Sequence, residues 1–132
     1  MNAVVHGLRQ SRFARYWVPT IGYCLLIFGL SSLSKGVTIP SPFGVDKVVH
    51  FVEYGVLGFL LARSIVNARS GFSRVFLLGL VVILATLYGI SDEVHQAFVP
   101  GRNASPWDVA ADGLGGLMGA LLYVGTGGRN KE

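Results

Sequence analysis

The sequence predicts an all-α fold, a four-helix antiparallel transmembrane bundle with short loops. Hydrophobic residues make up 52% of the 132 positions and charged residues 14%, against roughly 25% charged residues in soluble domains. Residues 75–90 and 113–128 carry no charge at all. Uncharged runs of this length are typical of helices that cross a bilayer.

The first two spans are predicted over residues 17–33 and 46–67, after a basic N-terminal arm formed by residues 1–16. Trp17 is placed to lie at the membrane interface, which aromatic side chains favour. The arm and first span resemble a signal peptide, but the apolar run is long and lacks a clear small-residue cleavage site. We therefore expect the first span to remain in the protein.

The third and fourth spans are predicted over residues 75–98 and 107–124, followed by a tail formed by residues 126–132. The pair Pro100-Gly101 breaks the third span, since both residues disfavour a continuing helix. Residues 17–125 then form one membrane domain. Its short connections imply that successive helices are antiparallel.

Charge distribution predicts the orientation of these spans. Cytoplasmic loops of membrane proteins are enriched in lysine and arginine, so both termini are predicted to be cytoplasmic in a multi-pass protein of the bacterial inner membrane. Six of the seven acids fall at the opposite, outer end. Eight of the eleven basic residues fall on the predicted inner side: Arg9, Arg12, Arg15, Arg63, Arg69, Arg74, Arg129 and Lys131.

Polar side chains from three spans are expected to meet at the outer end of the bundle. Residues three, four and seven positions apart lie on one helix face, which groups the polar residues of each span. A Gly115-x-x-x-Gly119 pair would let the fourth span pack closely on a neighbour. The candidate binding residues are Asp46, Lys47, His50, Glu53, Tyr54, Asp92, Glu93, His95, Gln96, Arg102, Ser105, Asp108 and Asp112.

One interpretation of this cluster is purely structural, a buried charge network that locks the helices together. It would pair Arg102 with Asp108 or Glu93, and Lys47 with Asp92. However, six acids face only three nearby bases, and ionisable groups within spans are costly and usually mark a function.

A metal site is a second interpretation. His50, Glu53, Asp92 and His95 could supply the nitrogen and oxygen ligands that suit zinc or manganese. The spacings are short and nonspecific, and there is no H-E-x-x-H motif. No cofactor is therefore predicted, although a divalent metal stays open as an alternative.

Ligand binding and catalysis are the remaining interpretations. His50, Asp92, Glu93 and His95 are the candidates for acid–base chemistry, and Arg102 could clamp a phosphate or carboxylate. Ser91 and Ser105 are the possible nucleophiles, but neither lies in a recognisable triad motif.

These interpretations favour binding of a lipid-linked cell-wall precursor or an anionic lipid head group at the outer leaflet. A membrane-embedded enzyme acting on a phosphate or acyl linkage is the alternative. Membrane lipid is the expected surrounding partner. Nucleic acid is not expected, because the basic residues flank the spans, and no phosphate-binding loop motif is present.

The segments D-K-V-V-H-F-V-E-Y-G, S-D-E-V-H-Q-A-F-V-P-G-R and S-P-W-D-V-A-A-D-G-L-G-G closely resemble the VanZ-like family. The resemblance covers residues 46–119 and implies a small multi-pass bacterial membrane protein. The family is named for a protein linked to resistance to the glycopeptide teicoplanin, which does not by itself imply resistance here. Asp112 departs from the asparagine often found at that position, which adds a potential charge.

Overall fold

The computed structural model describes residues 2–34 and 44–127, with side chains from residue 12 onward. Among the predicted topology signals, Lys35, Arg129, Lys131 and the side chain of Arg9 lie outside the described residues. The described chain forms four α-helices and confirms the predicted all-α class. The helices are α1 (Asn2–Ser31), α2 (Val45–Ala68), α3 (Arg74–Gln96) and α4 (Pro106–Gly125).

The helices differ from the predicted span limits mainly in α1 and α3. α2 and α4 extend the predicted ranges by one residue at each end. α3 ends at Gln96, two residues earlier than expected, because residues 97–101 form a turn in which Gly101 has a φ of 78°. α1 begins at Asn2, so the backbone of the basic arm continues directly into the first span.

Local capping explains where α3 and α4 begin. The Ser73 hydroxyl accepts a hydrogen bond from the backbone N–H of Phe76 at 3.1 Å. The Ser105 hydroxyl accepts one from Trp107 N–H at 3.3 Å, and Pro106 is the first helical residue of α4. Serine caps satisfy N–H groups that have no partner inside the helix, and proline is favoured at the first helical position.

Within the described residues, three helical segments are long and apolar enough to cross a membrane: Arg12–Ser31, Val45–Ala68 and Arg74–Gln96. Among the described helices α4 is not one of them, because two aspartates and five glycines lower its mean hydropathy. Its outer surface is nevertheless apolar. Leu114, Met118 and Leu122 repeat every four residues and are exposed, as expected for a helix face turned toward lipid.

Contacts between helices fix their directions. Thr20 of α1 lies against Ser64 of α2, and Tyr23 further along α1 bonds to Glu53, earlier in α2. α1 and α2 are therefore antiparallel.

α2 and α4, by contrast, run parallel. Lys47 meets Asp108 near the beginning of both helices, and Asn67 meets Tyr123 near the end of both. Parallel packing of the second and fourth helices is what an up-down-up-down bundle requires.

Glycines bring α2 and α4 into direct backbone contact, as the Gly115-x-x-x-Gly119 pair predicts. A Cβ atom added at Gly119 would overlap the carbonyl oxygen of Gly55, and one at Gly115 would overlap that of Phe51. Small residues permit such close approach between membrane helices. The polar residues of both helices lie just before this crossing, so the crossing sets their separation.

Candidate functional site

His50 lies at the centre of the polar cluster and pairs with Asp112. The Nδ1 atom of His50 is 2.9 Å from Oδ1 of Asp112, and both side chains are buried. With Asp112 ionised, its carboxylate only accepts hydrogen bonds, and Nδ1 of His50 is then the donor in this pair. On α3, a Cβ atom at Gly89 would collide with the Asp112 side chain, so Gly89 provides the space that this aspartate occupies.

Glu93 faces the other nitrogen of His50. Its Oε1 atom lies 3.8 Å from His50 Nε2, while Oε2 accepts a 2.7 Å hydrogen bond from the backbone N–H of Ser105. Within the described part of the chain, Oε1 is buried and has no hydrogen-bond partner. Glu93 thus fastens α3 to the start of α4 and directs an unsatisfied oxygen at the imidazole.

Lys47 and Asp108 form the third contact of the cluster, with Nζ 3.2 Å from Oδ1. The expected pairing of Lys47 with Asp92 is wrong: Asp92 instead accepts a 3.1 Å hydrogen bond from Gln96 Nε2. The physical reason is the parallel α2–α4 crossing, which places Lys47 against the first turn of α4.

The expected pairing of Arg102 with Asp108 or Glu93 is also wrong. Arg102 donates from Nη2 to the carbonyl oxygen of Leu30 at 2.9 Å, and from Nε to that of Leu33 at 3.2 Å. The last carbonyl groups of a helix lack partners within it. The guanidinium therefore caps the end of α1 and ties the α3–α4 loop to that helix.

His95 lies apart from the His50 group. Its Nε2 atom is 2.9 Å from the hydroxyl of Ser32, just after α1, and the centroid of its ring is 4.4 Å from that of Phe28 in α1. The four metal candidates drawn from the sequence therefore do not converge. Among the described residues, the three that offer ligand atoms within 4.8 Å of one another are His50, Glu93 and Asp108.

Two adjoining cavities open beside His50. The larger, of about 210 Å³, is bounded by α1, α2, α3 and Arg102. The smaller, of about 50 Å³, reaches the α3–α4 loop and α4. Four side chains line both cavities: Asp46, His50, Gln96 and Arg102.

The wall contributed by α1 was missed at the level of sequence. Ile27, Leu30 and Ser31 line the larger cavity together with Glu53 and Asp92. The available signal for this wall was the pair Ser31 and Ser32 at the end of the otherwise apolar first span. The predicted cluster drew polar groups from the second, third and fourth spans and none from the first.

Tyr54 lies next to His50, whereas the two candidate serines form hydrogen bonds within or beside their own helices. Tyr54 is completely buried, with its ring centroid 6.4 Å from that of His50 and, within the described chain, no hydrogen bond to its hydroxyl. The Ser91 hydroxyl donates to the carbonyl of Tyr88, and the Ser105 hydroxyl caps α4. Helix structure thus accounts for both serines, and neither hydroxyl bonds to a histidine among these residues.

Comparison with known families agrees with this architecture. The pattern of the VanZ/LLP1 family matches residues 5–126, which include all four helices apart from the first three residues of α1. Searches of curated proteins and of solved structures gave no match. With nearly the whole length matched, and with the polar segments of α2, α3 and α4 inside the match, the chain belongs to the VanZ/LLP1 family.

Proposed function

We propose that the protein binds the polar head group of an amphipathic envelope lipid in the larger cavity beside His50. The observation that carries the proposal is the composition of this cavity. Its inner wall is polar, and its outer rim is formed by apolar side chains of α1 and α2. A ligand that is polar at one end and apolar at the other matches both surfaces.

The rim supports entry from the side of the bundle. Leu30 of α1 is 44% exposed and Val49 of α2 is 46% exposed, and both line the cavity. The cavity therefore reaches the surface between α1 and α2. Neighbouring exposed residues such as Leu26 and Val52 continue this apolar surface along both helices, where an acyl or isoprenoid chain would lie.

The inner wall suggests the chemistry of the head group. Asp46, Glu53 and Asp92 offer carboxylate oxygens, which accept hydrogen bonds from hydroxyl or ammonium groups. Arg102 supplies a guanidinium, which favours phosphate. Hydroxyl or amine donors next to a phosphate occur both in lipid-linked cell-wall precursors and in common phospholipids, so we expect one of these two sources.

The proposal includes an outward-facing cavity, with both termini in the cytoplasm of a bacterial inner-membrane protein. Alkaline phosphatase fused after Arg102 should be active, because this enzyme folds only outside the cytoplasm, and a fusion at Ser70 should be inactive. The reverse pattern would place the cavity on the cytoplasmic side and exclude outer-leaflet precursors.

A pair of valine substitutions tests lipid binding. Val49→Trp would fill the cavity mouth, whereas Val48→Trp places the same ring on an exposed position of α2 outside the cavity lining. Purified variants would be titrated with phosphatidylethanolamine, phosphatidylglycerol and the lipid-linked disaccharide-pentapeptide precursor, with binding followed by native mass spectrometry. We expect Val49→Trp alone to weaken binding at least tenfold. Equal binding by both variants would contradict the proposal.

The same experiment distinguishes the sources of the ligand. Preference for the disaccharide-pentapeptide lipid would identify a cell-wall precursor, and expression of the protein should then change teicoplanin susceptibility unless Val49→Trp is present. Preference for a phospholipid would identify a membrane-lipid head group, with no effect on susceptibility.

The His50–Asp112 pair favours a catalytic role as the second candidate. A carboxylate that orients a histidine through Nδ1, leaving Nε2 toward a cavity, is an arrangement suited to general acid–base chemistry. Release of phosphate or of an acyl group from a bound lipid by the wild type, lost in His50→Gln, would establish catalysis. Binding without turnover would leave the protein as a binding module.

A further inference from the structure

We propose that His50, Glu93 and Asp108 form a binding site for one divalent transition-metal ion such as Zn²⁺ or Mn²⁺. These three buried residues come from α2, α3 and α4, and each offers a ligand atom within 4.8 Å of the other two. One imidazole nitrogen and two carboxylate oxygens form a ligand set that suits these ions. The set differs from the metal candidates suggested by sequence spacing.

The position of Glu93 independently points to a cation. Its side chain is 7% exposed, and Oε1 has no hydrogen-bond partner among the described residues. This oxygen is directed at His50 Nε2, 3.8 Å away, which is too long for a hydrogen bond. A buried carboxylate oxygen without a partner is costly, and a cation between these two atoms would satisfy both.

Asp112 supports the same assignment from the opposite side of the imidazole. Metal-binding histidines commonly donate their other ring N–H to a carboxylate, which fixes the tautomer and ring orientation. Asp112 accepts from His50 Nδ1 at 2.9 Å. Donation from Nδ1 leaves the lone pair of Nε2 on the side of Glu93 Oε1.

The separation of His50 and Glu93 allows a single ion to contact both side chains. Metal–nitrogen and metal–oxygen bonds of zinc are both about 2.0–2.2 Å. The 3.8 Å between His50 Nε2 and Glu93 Oε1 therefore fits two ligands of one ion at a wide angle. His50 and Asp108 also line the smaller cavity of about 50 Å³, which has room for water to complete the coordination.

Lys47 should compete with the metal. Its ammonium group lies 3.2 Å from Oδ1 of Asp108, and the lysine side chain is 45% exposed. The lysine can therefore leave for solvent when an ion binds. Because its positive charge repels a cation, we expect Lys47→Met to tighten Zn²⁺ binding by about tenfold, a result that a purely structural ion pair would not produce.

The test is a titration of the full-length protein in detergent, stripped with a chelator, with Zn²⁺ alone in competition with a chromophoric chelator. We expect one equivalent to bind and His50→Gln to weaken binding at least 100-fold. His95→Gln is the matched control, because it makes the same substitution outside the cluster, and it should bind as the wild type does. X-ray absorption should show a nitrogen and oxygen shell without sulfur.

Asp112→Asn provides a second variant in case His50→Gln does not fold. Loss of a carboxylate behind a metal-binding histidine typically reduces affinity by about 10–100-fold, so we expect a loss in that range. The proposal is overturned if the folded wild type binds no Zn²⁺ or Mn²⁺, or if His50→Gln and Asp112→Asn both bind as tightly as the wild type. Equal loss in His95→Gln would overturn it as well.

Failure of metal binding is distinguishable from failure of lipid binding. The Zn²⁺ titration contains no added lipid, and Val49→Trp changes the larger cavity without changing any of the three ligands. A protein that binds Zn²⁺ but no envelope lipid would support this inference and contradict the proposed function. A protein that binds the lipid but no Zn²⁺ would support the proposed function and contradict this inference.

Discussion

His50 of α2 and Asp112 of α4 form a buried 2.9 Å hydrogen bond just before the point where the backbones of these helices touch. Parallel packing through glycine holds the imidazole and the carboxylate at bonding distance, and the same packing brings Lys47 to Asp108.

Substitutions of Asp112 should separate its hydrogen bond from its charge. Asp112→Asn keeps an oxygen that can accept from His50 Nδ1, whereas Asp112→Ala leaves a buried donor unpaired, at a cost of about 1–3 kcal/mol. We expect thermal unfolding in detergent to show a clearly lower midpoint for the alanine variant and a midpoint near wild type for the asparagine variant. Equal destabilisation by both would mean that the charge itself stabilises the fold.

Gly119 should tolerate no side chain. In Gly119→Ala the new Cβ would overlap the Gly55 carbonyl and the Phe59 backbone nitrogen, neither of which can turn aside. Overpacking of this kind costs about 1–3 kcal/mol, and the helices must separate to relieve it. We expect a lower unfolding midpoint and weaker lipid and metal binding, because the crossing sets the distance between His50 and α4.

Gly79→Ala is the matched control for this substitution. A Cβ at Gly79 of α3 would meet nothing within 4 Å among the described residues. Alanine also favours a helix over glycine by up to about 1 kcal/mol, so the control should unfold at the same temperature or higher. Similar losses in both variants would show that the effect comes from helix composition and not from the α2–α4 contact.

The fold was predictable because hydropathy and breaker residues report directly on helices that cross a membrane. The uncharged runs before and after the α3–α4 loop and the break at Pro100-Gly101 correspond to helices and a turn in the structure. These signals are local, and each depends on a single stretch of chain. They do not contain the rotation of one helix against another.

Which side chains pair within the site depends on how each helix is rotated against its neighbours, so these pairs were only partly predictable from the sequence. The sequence grouped His95 with His50, Glu53 and Asp92 as metal candidates, yet His95 packs on Phe28 of α1 and Glu93 faces His50. The tight α3–α4 approach at Gly89 selects the face of α3 that turns inward. Arg102 was misassigned for another reason: its partners are backbone carbonyls of α1, and a sequence does not mark which carbonyls need a donor.

The hydroxyl pair between α1 and α2 should contribute measurable coupling. The Thr20 and Ser64 hydroxyls lie 2.8 Å apart and are buried, and Ser64 also donates to the Tyr16 carbonyl. Hydrogen bonds between membrane helices average about 0.6 kcal/mol in double-mutant cycles. We expect that coupling between Thr20→Val and Ser64→Ala, measured by unfolding in detergent.

A cycle that pairs Ser64→Ala with Ser32→Ala controls for indirect effects. Ser32 is an exposed residue just after α1. Its hydroxyl donates to the carbonyl of Phe28, one helical turn earlier, and also bonds to His95. Since Ser32 and Ser64 share no partner in these contacts, their coupling should be near zero. Comparable coupling in both cycles would argue that α1 responds as a unit and that the Thr20–Ser64 bond has no specific role.

Arg102 should control how firmly α1 closes the larger cavity. Its guanidinium donates to the carbonyl oxygens of both Leu30 and Leu33, and its side chain also lines the larger cavity. Arg102→Ala removes both bonds, so hydrogen exchange of the amides of residues 31–33 should accelerate by about tenfold, consistent with loss of roughly 1.5 kcal/mol from hydrogen bonds to a charged group. Arg102→Lys should give an intermediate rate, because a lysine ammonium cannot reproduce the planar fork of the guanidinium.

Arg69→Ala controls for removal of an exposed arginine. Arg69 lies just after α2, 5.6 Å from the ring of Phe72 in the same connection, and should leave exchange at the end of α1 unchanged. If Arg102→Ala also left it unchanged, the two carbonyl contacts would not hold α1 in place. Faster exchange in Arg102→Ala together with weaker lipid binding would instead link the cap on α1 to the cavity, because Leu30 both accepts from Arg102 and forms part of the rim.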